Sequence, residues 1–274
     1  MAGNEPLIPS DLGGWTLAVA GVCRRSFVRL AGLQLILAVT VVAAAGAAFG
    51  VILLVQPGSV DEHGLARTGG PVVALIVVAV VVGGVAYAFV SCASLSVALL
   101  DVAGRRATVS AGLRIARRRL PRCIGVGLLA LVLTGVGYIL LIAPGIYLGV
   151  VFGAALLGTV VVEGEGIARS LELVRGRWWA TCGRLFFASL ASWAYQIVCQ
   201  FALTFVVFGV EGVVGSDSVV STIALTITWV LALPVVWLPL SVIGTAVSVV
   251  TYAELRGRER PGLSVAVLAA QMDN

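Results

Sequence analysis

Long apolar stretches alternate with short connections, and the arginines crowd into every second connection. The stretches cover 28–55, 71–100, 123–142, 146–162, 182–210 and 220–250. A helix needs about 20 apolar residues to cross the hydrocarbon of a bilayer. Lipid offers the backbone no hydrogen-bond partner, so a chain of such segments must satisfy its amides internally, as helices. The fold class predicted is therefore all-α integral membrane: six transmembrane helices plus short interfacial amphipathic helices. A lead-in with one interfacial helix, 1–27, precedes the spans and a tail, 251–274, follows them.

Composition agrees. The 274 residues are 60% hydrophobic and 11% charged, with a mean hydropathy of +1.09, whereas soluble domains carry about 25% charged residues. Every basic residue apart from the single histidine is arginine, and Ala, Val, Gly and Leu fill the apolar positions. That usage points to a bacterial, GC-rich origin.

Topology follows from the arginines. Arg24, Arg25 and Arg29 precede the first span. Arg105, Arg106, Arg114, Arg117, Arg118, Arg119 and Arg122 fill the second connection. Arg169, Arg175, Arg177 and Arg184 surround the fourth, and Arg256, Arg258 and Arg260 follow the sixth span. Only Arg67 falls on the other side. By the positive-inside rule both termini are cytoplasmic, in a multi-pass protein of the bacterial inner membrane. The net charge of +5 is read as topology and contact with anionic lipid, with no nucleic acid as partner.

Two connections carry an amphipathic pattern. Val109, Leu113, Ala116 and Leu120 share one helical face while Arg114, Arg117 and Arg118 lie elsewhere. Ile167, Leu171, Val174 and Trp178 repeat the arrangement, as expected of helices lying in the membrane interface. The two align: Val109 with Ile167, Leu113 with Leu171, Arg117 with Arg175, Arg119 with Arg177, Gly125 with Gly183. Arg24–Arg29 also lies over Arg117–Arg122. One reading is three parallel modules, each an interfacial helix and a two-span hairpin. The other is that any basic helix before a span looks like this.

Few residues suggest chemistry. The Arg24–Arg25 pair has the look of a twin-arginine export signal, but five spans follow and the same shape recurs at Arg117, so no cleavage is expected. His63 sits beside Asp61 and Glu62 in a polar loop, too few ligands for a metal site. Cys23, Cys92, Cys123, Cys182 and Cys199 form no C-x-x-C pair; they are expected to be buried thiols, without a disulfide framework. Asp101, Glu163 and Arg184 fall at span ends, and no ionisable residue lies mid-span. Glu163 and Glu165 are read as carboxylates favoured at a helix start. A polar stripe, Ser189, Ser192, Gln196 and Gln200, marks the fifth span as interhelical hydrogen-bonding groups or a solute path. Pro234 and Pro239 predict a kink in the sixth, and Pro144–Gly145 is expected to turn the chain between the third and fourth.

Pro144-Gly145-Ile146-Tyr147, Glu163-Gly164, the closing Gly176-Arg177-Trp178-Trp179 and the tail Tyr252-Ala253-Glu254-Leu255-Arg256 resemble a bacterial family of six-span membrane proteins. It is typified by the membrane domain fused to some glycerophosphoryl diester phosphodiesterases. The resemblance covers 100–274 and, loosely, the first two spans. It implies Pro144, Gly145, Tyr147, Glu163, Gly164, Gly176 and Trp178 as motif residues. The sequence lacks the phosphodiesterase barrel, so hydrolysis is not carried over.

The function expected is non-enzymatic organisation of lipid or a partner protein at the cytoplasmic face, with no cofactor. Arg114, Arg117, Arg118, Arg119, Arg175 and Arg177 are the candidates for anionic head groups, and a membrane-protein partner or homo-oligomer is the other class of contact. The alternative is a transporter or permease subunit for an uncharged or amphipathic solute. A lipid enzyme ranks last, because no nucleophile, base and metal set converges.

Overall fold

The computed structural model describes residues 11–55, 64–105, 107–214, 219–259 and 265–272. Asp61, Glu62 and His63, and with them the metal question of the first loop, lie outside the described residues. Among these residues all regular structure is helical: α1 Leu12–Val55, α2 Gly64–Val102, α3 Val109–Leu140, α4 Ile142–Val151, α5 Ile167–Val174, α6 Trp178–Val214, α7 Val219–Glu259 and α8 Val265–Gln271. Five helices are long and apolar enough to cross a membrane, over Leu12–Ala44, Val73–Val102, Val109–Leu140, Trp178–Gly212 and Pro234–Glu259. The chain therefore has the character of a multi-pass membrane protein.

The fourth apolar stretch differs from the other five. Helix α4 runs on through two wide π-helical turns, Phe152–Leu156 and Thr159–Glu163. The bend preceding it also differs from expectation. Leu141, with φ −161° and ψ 138°, is the extended residue that separates α3 from α4. Pro144 lies in the first turn of α4, where its missing N–H has no helical partner to lose. Gly145 serves packing instead: a Cβ there would sit 2.5 Å from Cγ of Tyr138.

The interfacial helices are merged with spans in two places out of three. The basic stretches at 16–27 and 109–122 are the first turns of α1 and α3. Pro121 is absorbed inside α3, which starts on a Thr108 cap whose side chain accepts from the Ala111 amide at 3.2 Å. Only α5 stands alone. Gly176, at φ +79°, breaks the chain between α5 and α6, a backbone state that a continuing helix does not allow.

The helices pack as a ring, α1 on α2, α2 on α3, α3 on α4, α4 on α6, α6 on α7 and α7 on α1, with α2 also touching α7. The buried core gathers at one end of that ring. Cys92, Ala93, Leu95, Val97, Ala98 and Leu99 of α2 are completely buried, as are Ala246 and Tyr252 of α7. Small residues permit this, since a Cβ on Gly112 of α3 would fall 2.5 Å from Val97 and 2.9 Å from the Ala93 carbonyl oxygen. Toward the other end α2 exposes a broad apolar face, through Val77, Val78, Val80, Val81 and Val82. Such an exposed apolar face needs an apolar solvent.

The cysteine expectation needs one correction. Cys92 and Cys123 are joined across the α2–α3 contact, with a Cα separation of 7.4 Å, while Cys23, Cys182 and Cys199 are free thiols. The antiparallel packing of two successive helices brings that pair together, and spacing alone gives no sign of it.

Candidate functional site

The second π turn ends at Glu163 because Gly164 takes a left-handed conformation, φ +68°, and returns its N–H to the Thr159 carbonyl. The Glu163 carboxylate is thereby set inside the packed end of the ring. Tyr252 Oη donates to Glu163 Oε1 at 2.8 Å, Arg169 Nε donates to Oε2 at 2.9 Å, and Arg256 Nε lies 3.4 Å from Oε1. Arg169 also reaches Glu172 at 3.1 Å and Glu259 at 2.5 Å, and Arg256 donates to Glu259 at 2.9 Å. Hydrogen bonding to Glu259 outweighs burial and holds the Arg169 guanidinium above its ordinary range, so it keeps its charge.

A second centre adjoins the first. Arg184 Nη1 reaches both oxygens of Glu254 at 2.5 Å, and Arg258 Nη2 lies 2.8 Å from Oε1. The Glu254 and Arg184 side chains are only 2% and 12% exposed, so neither charge is tolerable without a partner. Glu163, Glu172, Glu254 and Glu259 are matched by Arg169, Arg184, Arg256 and Arg258. The network is electrically neutral and ties α5, α6 and α7 to the π turn. Thr159 and Ser170 add a hydroxyl pair at 3.0 Å.

Three arginine contacts of similar form hold the helix ends at this level. Arg29 of α1 pairs with Asp101 at the end of α2, where Ser26 also donates at 2.7 Å. Arg122 of α3 donates to the carbonyl of Gly164, just past the second π turn. Arg184 of α6 pairs with Glu254 near the end of α7. Each joins the early part of one long helix to the end of the next apolar helix in the chain.

Several resemblance residues meet here. The Tyr147 and Trp178 rings stack with centroids 5.8 Å apart, and Trp178 Nε1 donates to the Tyr147 carbonyl at 3.4 Å. Glu163 meets Tyr252. Gly164 and Gly176 hold the two positive-φ turns that flank α5, and Pro144 and Gly145 lie at the opposite end of α4.

Outside the network, Arg114, Arg117, Arg118, Arg175 and Arg177 are exposed, and their side chains have no hydrogen bond or ion pair among the described residues. Arg119 is half-buried against Gly164. The α6 stripe is less concerted. Ser192 bonds back to the Ala188 carbonyl at 2.9 Å, while Ser189, Gln196 and Gln200 are exposed. The interhelical bond comes from Tyr195, whose Oη donates to the Val235 carbonyl at 2.8 Å. That carbonyl is free because Pro239, four residues on, has no N–H to give it. Pro234 and Pro239 lie within one continuous α7.

The network was hidden in the sequence. Glu163 has a sufficient reading as a helix-start carboxylate, and Arg169, Arg184 and Arg256 as topology signals. The Glu254–Arg258 and Arg256–Glu259 spacings, four and three residues apart, were the available hint. Comparison with protein-family models, with curated proteins and with solved structures gives no match.

Proposed function

We propose that the chain is a six-span, non-enzymatic integral protein of the bacterial cytoplasmic membrane, with both termini inside. On this reading it is built of three helical-hairpin modules and organises anionic lipid or a partner protein at the cytoplasmic face. The family resemblance of 140–179 and of the tail belongs to the same reading.

The three arginine contacts carry the topology. Arg122 meets Gly164, so the segment from Ile142 to Glu163 returns over the length that α3 covers between Arg122 and Leu140. At 1.5 Å per residue that length is about 27 Å, close to the thickness of a hydrocarbon core. Asp101 and Glu254 come back to Arg29 and Arg184 in the same way. Three returns to one level correspond to three hairpins and six crossings.

The exposed arginines carry the function. The buried carboxylates of the network are already matched, so Arg114, Arg117, Arg118, Arg175 and Arg177 face outward with their charge uncancelled. Each basic residue near an anionic leaflet contributes about 1 kcal/mol. The test is retention of phosphatidylglycerol by the purified full chain in detergent at rising salt. Replacing Arg114, Arg117 and Arg118 by Gln should weaken the salt-labile retention by up to about 100-fold. Unchanged retention with unchanged topology would sink the reading.

Gln196 and Gln200 favour a second reading, a permease subunit, because their amides stand exposed near the middle of α6. Solute flux in proteoliposomes that is lost in Gln196→Leu/Gln200→Leu supports transport over lipid organisation.

A further inference from the structure

We infer that the turn at Gly164, with Arg119 and Arg122, is a discrete seat for one phosphate group, supplied in the membrane by a lipid head group. The inference deepens the lipid-organising reading and rests on it for the source of that phosphate.

Two guanidinium groups converge on one point of backbone. A Cβ built on Gly164 would lie 2.5 Å from Nη1 of Arg119 and 3.0 Å from Nη1 of Arg122. Like charges held this close repel unless an anion lies between them. None is supplied from within. Arg122 donates to the Gly164 carbonyl, which is neutral, and Arg119 has no hydrogen bond or ion pair among the described residues.

The contrast with the other two contacts is the deciding point. Arg29 closes on the Asp101 carboxylate and Arg184 on that of Glu254. In the middle contact the equivalent acid, Glu163, is turned inward to Tyr252, Arg169 and Arg256. Glu165 is exposed and makes no ion pair. Two cations therefore stand where the flanking contacts have one cation and one carboxylate. The guanidinium fork matches the oxygen spacing of phosphate, and the missing side chain at Gly164 is what lets the two guanidinium groups close on the turn.

The experiment is native mass spectrometry of the full chain in detergent, with phosphatidylglycerol, with diacylglycerol of the same chains lacking phosphate, or with inorganic phosphate. Ions are introduced after equilibration at about 1 M salt, where the Debye length is about 3 Å and diffuse attraction is screened. One phosphatidylglycerol per chain should persist, and diacylglycerol should not. Arg119→Gln, which removes no intramolecular bond, should lower that occupancy about tenfold. Arg114→Gln/Arg117→Gln/Arg118→Gln should spare it while losing the salt-labile lipid, so the two readings can fail separately. Displacement of the lipid by millimolar inorganic phosphate would make a free phosphate the ligand of the same seat. Equal retention of diacylglycerol, unchanged occupancy in Arg119→Gln, or reduced occupancy in Glu165→Gln, which removes only a competing anion, would overturn the inference.

Discussion

Gly158 lies flat against the ring of Tyr252. A Cβ at Gly158 would fall 2.8 Å from Cδ1 of that ring and nearer still to Cγ and Cδ2. This contact lets the last turns of α7 press on the π-helical segment and brings Tyr252 Oη to Glu163. Gly158→Ala should therefore cost about 1–3 kcal/mol through overpacking, read as a lower midpoint of thermal unfolding in detergent. Tyr252→Phe keeps the ring and loses one hydrogen bond, so it should cost about 1 kcal/mol. Combining Gly158→Ala with Tyr252→Ala should give less than the sum of the two, because the clashing ring is gone. Strict additivity would show that the contact does not matter.

Arg184 and Glu254 form a deeply buried ion pair of the network. Removing Glu254 leaves Arg184 charged and unpaired in an apolar setting, so Glu254→Ala should destabilise by about 3–5 kcal/mol. Arg184→Met with Glu254→Met should recover a large part of that loss. Unfolding in graded denaturing detergent distinguishes the cases; a double variant as weak as the single one argues against burial as the cause.

Tyr195 supplies α7 with the hydrogen bond that Pro239 cannot. Tyr195→Phe leaves the Val235 carbonyl unsatisfied at membrane depth, at a cost of about 1–3 kcal/mol. Pro239→Ala restores an N–H at the right place. The double variant should be more stable than Tyr195→Phe alone, and the reverse order would mean that the bond is incidental.

Single cysteines in a background without the native five report the topology. Cysteine in place of Ser59 or Leu141 should react with an impermeant maleimide from outside, and cysteine in place of Arg117 or Arg175 only after permeabilisation. If the stretch from Ile142 to Glu163 does not cross, Arg175 changes sides while Arg117 does not. Outside labelling at Arg175→Cys is thus the result that reduces six spans to five.

The helical character of the chain was legible from hydropathy alone, because lipid forces the backbone of every long apolar run into internal hydrogen bonds. The fourth stretch was read as one more simple span, since hydropathy has no term for the π turns that carry it to Glu163. The basic stretches were read as short interfacial helices, but whether each forms its own helix depends on a single backbone state. Gly176 at φ +79° separates α5 from α6, whereas Pro121 gives up one hydrogen bond and remains inside α3.

The sequence by itself determined where apolar and charged residues alternate, and hence the element type and the approximate number of long helices. Tertiary structure alone decided which arginine meets which carboxylate. Glu163, Arg169, Arg184 and Tyr252 belong to four different segments, and Cys92 and Cys123 to two. No periodicity couples residues so far apart. Their pairing arises from the return of successive helices to one level, where burial makes an unmatched charge too costly to keep.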